Sequence, residues 1–447
     1  MNSIMTFVAT GDYLQTRRVP SYQEHSFQEI AKLIGQADVR LTNLEMHVSY
    51  NEGTPNAISG GTHVQSTPDR LKDLVAYGFN LVGTANNHSM DFSHDGLLLT
   101  NKYLREAEIL HAGMGANLFE AGRPAYLDTP AGRAALISVT SSFHQTHLAS
   151  EQRRDGKGRP GVNGLRHVKK HLVSQADFEV LKRIASQTEV NALYEMLVEE
   201  AFLSPLPKGV LPFGYDMYGY PAIFYAGEKE NLLTMPHEQD MKRLESSIDD
   251  ASRQSDYVIV SFHAHEMKGT NKQLPADFVE IACRRFIDAG AHAVVGHGPH
   301  TLRGIEIYQN RPIFYSLSNF IFQDETLEVL PQEFYDANSL PHDMTIMQAM
   351  DSKTDQGTKG LLTIPEVMES VIASWSMENG QIKEIILHPI ELGCGKKRHQ
   401  NGFPKLSRNE AIVKRVAELS KPYGTEIQVS DGIGVVHITT KKIGIKV

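Results

Sequence analysis

Short apolar runs rich in Val, Ile and Phe alternate along this chain with amphipathic stretches, the pattern of an α/β domain with a mostly parallel or mixed sheet. Residues 4–9 (IMTFVA) predict a strand, 25–36 a helix, 38–42 a strand, 69–77 a helix entered at Thr67-Pro68-Asp69, 79–83 a strand and 95–107 a helix. The rhythm resumes with a helix over 238–254, a strand over 256–262, a helix over 275–289 starting at Pro275, a strand over 292–296 and a hairpin of 304–308 with 312–316. Between these halves, 141–235 is polar and rich in Gly and Pro, with a helical stretch near 175–203 and the aromatic run GYDMYGYPAIFYAG. It reads as an insertion over an active site or, equally, as a plain connecting subdomain. Residues 330–365 read as a long loop, and 408–447 as helix, strand, strand in a terminal appendage. The expected organisation is one core domain over 1–330 interrupted at about 141–235, followed by loop, terminal strands and appendage over 331–447.

Composition narrows the class without changing that picture. A chain of 447 residues, 41% hydrophobic and 22% charged, is an ordinary globular protein able to bury a large core. A net charge of -9 with no basic tract at either end argues against a nucleic-acid surface, whose affinity depends on clustered Lys and Arg. Two cysteines, Cys283 and Cys394, build no disulfide framework, and Cys283 falls in a helical pattern as a core residue. No stretch approaches the roughly 20 apolar residues that span a bilayer, and MNSIMTFVATGD lacks the features of a secretory signal. The expected compartment is therefore the cytoplasm. Nothing in the pattern specifies an oligomeric state.

The chemistry sits where predicted strands end. In an open α/β sheet the loops leaving the carboxyl ends of strands converge on one crevice, so polar residues placed there can meet. The first strand ends in Gly11-Asp12, the second in Asn43-Leu44-Glu45, and the third in Asn86-Asn87-His88 with Asp91 beyond. Strand 256–262 ends in His263-Ala264-His265-Glu266, and strand 292–296 in Gly296-His297-Gly298-Pro299-His300. Singly, each is ordinary turn chemistry. Together they offer carboxylate oxygens and imidazole nitrogens, the donors that Mn, Fe and Zn take.

In this order the motifs resemble the CapA family, the poly-γ-glutamate capsule-synthesis proteins related to calcineurin-like metallophosphatases. Tyr315-Ser316-Leu317-Ser318-Asn319-Phe320 extends the likeness, which covers roughly residues 4–325. The resemblance implies an α/β fold, a calcineurin-like four-layer α/β/β/α sandwich. It implies metal ligation by Asp12, Glu45, Asn87, His263 and His297, to which strand-end position adds His300 as a further metal ligand, and a proton-transferring or substrate-polarising role for His88. Asp91 and His265 are further catalytic candidates, and one or two divalent ions, Mn, Fe or Zn, are the expected cofactors. Two departures are visible. The wider superfamily places a histidine two residues after the first Asp, where this chain has Leu14, and many relatives continue the fourth motif as His-Trp-Gly.

The resemblance implies metal-assisted hydrolysis of a phosphoester or of an amide such as a γ-glutamyl linkage, in a small molecule, a peptide or poly-γ-glutamate. A metal-dependent peptide epimerase and a non-catalytic capsule-synthesis component are the alternatives. Arg18, Arg166 and Asn319 are candidate substrate contacts, the arginines because guanidinium pairs bidentately with carboxylate and phosphate. A solvated surface is the other reading of those arginines, as it is of the run Lys396-Lys397-Arg398-His399.

Overall fold

In the computed structural model, which describes residues 4–215 and 221–438, the first apolar run forms the strand Met5–Leu14 inside a ten-stranded sheet. Val39–Leu44, Leu81–Gly83 and His111–Ala112 extend it on one side, all parallel. On the other side Glu369–Glu378 pairs antiparallel with Met5–Ala9, and Asn319–Phe322 runs parallel along Asp12–Leu14. A second sheet has Gly132–Thr140, Tyr257–His263, Ala293–His297 and Arg311–Phe314 in parallel, with Ala125–Thr129 and Ile305–Tyr308 antiparallel at its edges.

Alternation along each central strand explains why its sequence is apolar throughout. Successive side chains point to opposite faces, so a strand buried on both faces carries no polar rhythm. Phe7 and Ala9 join Leu41, Leu136, Ile259, Val295 and Phe314 in one cluster shared by the two sheets, and Trp375 stacks on Phe7 with centroids 5.1 Å apart. Val8 instead packs with Ile30, Leu74 and Leu97, from the helices His25–Ile34, Leu71–Tyr77 and Ser93–Glu106. On the second sheet Val258 and Val260 meet Leu244, Ile248 and Phe286 of helices Glu238–Ser252 and Asp277–Asp288. Cys283 is buried in that cluster.

Residues 167–236 build a separate four-stranded sheet in the order Val210–Phe213, Ala222–Ala226, His167–Val173, Asn231–Pro236, with helices Gln175–Thr188 and Ala192–Glu199. It leans on helix Asp277–Asp288, where His167 stacks on Phe278 at 4.3 Å and the Phe278 N–H donates to Thr234 Oγ1 at 3.1 Å. Residues 216–220 of the aromatic run lie outside the described residues.

Two expectations need correction. Residues 330–365 carry helices Gln332–Ala337 and Ile346–Thr354, the second opened by a reciprocal capping box of Thr345 and Gln348. The C-terminal part is not peripheral: Glu369–Glu378 and Gln381–Glu391 form a long hairpin that builds the centre of the larger sheet, and Ile433–Val436 pairs onto it. Among the described residues no helix is long and apolar enough to cross a membrane.

Candidate metal centre

Five strand ends deliver the polar residues to one place, and register explains how. Met5–Leu14 shifts register against Val39–Leu44 between Ala9 and Asp12, which sets Asp12 directly beside Asn43. Asn43 donates to Asp12 Oδ1 at 2.7 Å, and the Gly298 N–H donates to Asp12 Oδ2 at 3.0 Å. The shift is possible because position 11 has no side chain: a Cβ there would lie 2.1 Å from the Ser318 carbonyl oxygen. Gly11 is thus a point of close backbone approach within the strand and not the tight turn its position suggested.

Glu45 is the centre of the cluster. It is fully buried, and neither carboxylate oxygen has a hydrogen-bond partner among the described residues. Around its Oε1 stand His263 Nε2 at 3.6 Å, His300 Nε2 at 3.8 Å, and His88 Nε2 and His265 Nε2 at 4.0 Å. Two sets of possible ligand atoms, Glu45 with His263 and His265, and Asp12 with Glu45 and His300, each gather within 4.8 Å. A buried, unpartnered carboxylate ringed by imidazoles is costly for the protein alone and suits a cation that would use those lone pairs. The donor set therefore fits a divalent metal, with mixed O and N ligands of the kind that Mn, Fe and Zn accept.

The electrostatics agree. Burial, then the negative charges of Asp12 and Asp91, push the Glu45 carboxyl well above its ordinary range. Burial alone would raise Asp12 too, but His263, whose Nδ1 lies 3.6 Å from Oδ1, together with His297 and His300, holds it well below. Burial lowers His300 and His297 to about 4 and His265 well below its usual value. These rings are neutral near pH 7, the state in which imidazole binds a metal.

Hydrogen bonds set the orientation of each ring. Asn319 donates through Nδ2 to the Val367 carbonyl at 2.9 Å, so its oxygen accepts from His300 Nδ1 at 2.8 Å and leaves the Nε2 lone pair facing Glu45. His300 itself adopts a left-handed φ of 53°. His88 donates from Nδ1 to Asp91 Oδ2 at 2.7 Å, which turns Nε2 toward the cluster. Asn87 Oδ1 lies 2.7 Å from His263 Nε2 and 3.3 Å from His265 Nε2. His297 stands apart from both ligand sets, its Nε2 donating to the Thr10 carbonyl at 3.2 Å.

The three expected substrate contacts are engaged elsewhere. Asn319 is fully buried and positions His300. Arg18 is bound to Asp73 and Tyr22, and Arg166 forms a fork on Asp240 with bonds of 2.8 and 2.7 Å. Arg398 of the basic run pairs with Glu325 and Asp351. Other residues matter more than their sequence suggested. Asn43 lies beside both Asp12 and His263. Arg303, 1% exposed, donates to the carbonyls of Ala264, Glu266 and Lys272 and so holds the loop carrying His265. Asn43 falls inside the second motif and was open to notice, whereas nothing marked Arg303.

Two cavities open from the cluster and share Gly60, Asn87 and His265. The larger, about 730 Å³, runs beneath the separate sheet past His144, His147 and Lys169. The smaller, about 330 Å³, is bounded by His88, His300, Asp324 and helix Ile346–Thr354.

Known proteins are similar to this chain over most of its length. The chain is 35% identical to the uncharacterized protein y4sH of Sinorhizobium fredii (strain NBRC 101917 / NGR234), over 97% of this chain and 93% of that protein. It is 21% identical to the capsule biosynthesis protein CapA of Bacillus anthracis over 72% of this chain and 60% of the relative. With the PGA biosynthesis protein CapA of Bacillus subtilis (strain 168) the figures are 22%, 72% and 64%. The family model described as bacterial capsule synthesis protein PGA_cap matches residues 6–324, the stretch that holds every residue of the cluster, and the chain belongs to that family.

Proposed function

We propose that this protein is a metal-dependent hydrolase, with a calcineurin-like layered architecture, that cleaves a phosphoester or an amide such as a γ-glutamyl linkage. The observation that carries the reading is Glu45, buried and unpartnered at the meeting point of four imidazoles. Asp12, Glu45, His263, His265 and His300 would hold one or two divalent ions, such as Mn, Fe or Zn. Bound there, the metal supplies Lewis-acid polarisation and charge stabilisation for attack by water. The likeness to the Bacillus proteins of capsule and PGA biosynthesis supports a substrate in poly-glutamate metabolism.

The chain's own groups account for the rest. His88, fixed through Nδ1 by Asp91, offers Nε2 to protonate a leaving oxygen or nitrogen. Asp91 is itself held by the N–H groups of Val64 and Gly60, so the pair is rigid. The two cavities meeting at the cluster let an extended substrate lie across it with a segment in each.

Elemental analysis of purified wild type, Asp12→Asn and His300→Ala tests this directly. One to two equivalents of a divalent metal in wild type, reduced in both variants, are expected, followed by cleavage of phosphoester or γ-glutamyl substrates. An uncleaved product carrying solvent deuterium would identify the epimerase instead. Wild-type protein that takes up no metal under any loading condition would overturn the hydrolase.

A further inference from the structure

The smaller cavity has two walls of different origin. One is the cluster itself, through Asn87, His88, His265 and His300. The other is formed by helix Ile346–Thr354 and the turn after it, beyond the residues 6–324 that the family model matches. That helix is firmly built in. Ala349 and Met350 are fully buried against Phe334 and Tyr335, and Arg398 bridges its Asp351 to Glu325 with bonds of 2.8 Å on each side. A wall this well fixed, placed against a reaction centre by sequence outside the matched region, is suited to choosing the substrate.

Its chemistry is cationic. Lys353, at the rim of the cavity, donates from Nζ to Thr62 Oγ1 at 2.6 Å and lies 5.2 Å from the Phe334 ring centroid. Lys272 lines the same cavity. Among the described residues neither lysine makes an ion pair, whereas Glu325 is committed to Arg398, so two ammonium groups face one remaining carboxylate, Asp324. In a chain of net charge -9 this local excess of positive charge is directed at an anion. The hydroxyl of Thr62 and the ring of Phe334 limit where the Lys353 head can lie, so little ordering remains to be done when a ligand arrives.

We propose that helix Ile346–Thr354 is the selectivity wall of the site and that Lys353 receives a carboxylate or phosphate of the substrate other than the group that reacts. The proposal rests on the hydrolase reading only in taking the adjoining cluster as the reaction centre.

Isothermal titration calorimetry on the full chain tests it, with γ-glutamylglutamate and inorganic phosphate as probes against wild type, Lys353→Met and Lys353→Arg. Metal content is measured on the same samples and thermal melting confirms the fold. The expected result is binding to wild type that weakens about tenfold in K353M, the loss of one charged hydrogen bond, and stays within about threefold in K353R. Loss confined to the dipeptide identifies a carboxylate, and loss confined to phosphate identifies a phosphate. Equal affinity of wild type and K353M, or no saturable binding of either probe to wild type, overturns the subsite. A metal-free wild type whose anion binding still depends on Lys353 would sink the hydrolase and leave the subsite standing. Loaded protein indifferent to Lys353 would do the reverse.

Discussion

Glu45 carries two opposed demands, because the arrangement that suits a cation leaves its carboxylate unsatisfied without one. Its folded-state pKa is raised, so the ionised group weakens the metal-free fold above pH 4.5 and does so increasingly until the folded value is passed. Glu45→Gln should therefore leave metal-free protein at pH 8 at least as stable as wild type, by about 1–2 kcal/mol, while metal content falls sharply. Denaturant melts and elemental analysis on the same samples separate the two effects. Asn319 acts one step further out. Asn319→Ala frees the His300 ring and should weaken metal affinity about 10–100-fold in a chelator competition, with Arg166→Ala as a variant that leaves it unchanged. This is also where reading residues from sequence reaches its limit. Residue type and strand-end position brought out Asp12, Glu45, His263, His265 and His300, all of which the fold gathers. Whether an asparagine contacts substrate or props a histidine depends on three-dimensional partners such as Val367, which no local pattern contains.

At the scale of elements, the site depends on backbones that approach too closely for side chains. A Cβ on Gly11 would meet the Ser318 carbonyl at 2.1 Å, and one on Gly296 would meet the Tyr315 carbonyl at 2.3 Å. Both obstacles are main-chain atoms of the segment joining strands Arg311–Phe314 and Asn319–Phe322 and cannot rotate away. Gly11→Ala should accordingly cost about 3 kcal/mol of stability, read as a lowered denaturation midpoint, and should reduce metal content by displacing Asp12. A midpoint equal to wild type would show that the Leu317-Ser318 segment gives way freely there. The core elements were legible because their strands are apolar on both faces and their helices are amphipathic. The hairpin Glu369–Glu391 lies in the part expected to hold loop, terminal strands and appendage, although Asn379-Gly380 between alternating apolar runs is a strong two-residue turn signal, with φ of 53° and 73°. Helix Ile346–Thr354 likewise announced itself only by Thr345 and Gln348, a cue easily lost in a polar stretch that reads as loop.

The whole molecule buries neutral histidines outside the two ligand sets as well, and this fixes how its stability responds to acid. Burial lowers His47, His147 and His292 to about 4. Their unfolded value is near 6.5, so between pH 6.5 and 4 the unfolded chain binds protons that the folded chain refuses. Stability falls through that window, by up to about 3 kcal/mol per ring, and these rings add no further change below it. His297 and His300, also lowered to about 4, act in the same direction. Asp12, held low, adds a loss only below its ordinary value of 3.8. Glu45 works the other way, since its raised folded value lets the folded chain take up a proton first and gain stability as pH falls. Wild type and Glu45→Gln should consequently separate. Urea midpoints of metal-free protein measured at pH 7.5 and pH 5 should drop in both, and drop further in the variant, where nothing offsets the histidines. His47→Gln in the Glu45→Gln background should shrink that drop, because one buried ring no longer titrates. Equal midpoints at the two pH values in Glu45→Gln would show that the buried imidazoles take up protons as readily in the fold as out of it, and that burial does not govern their charge.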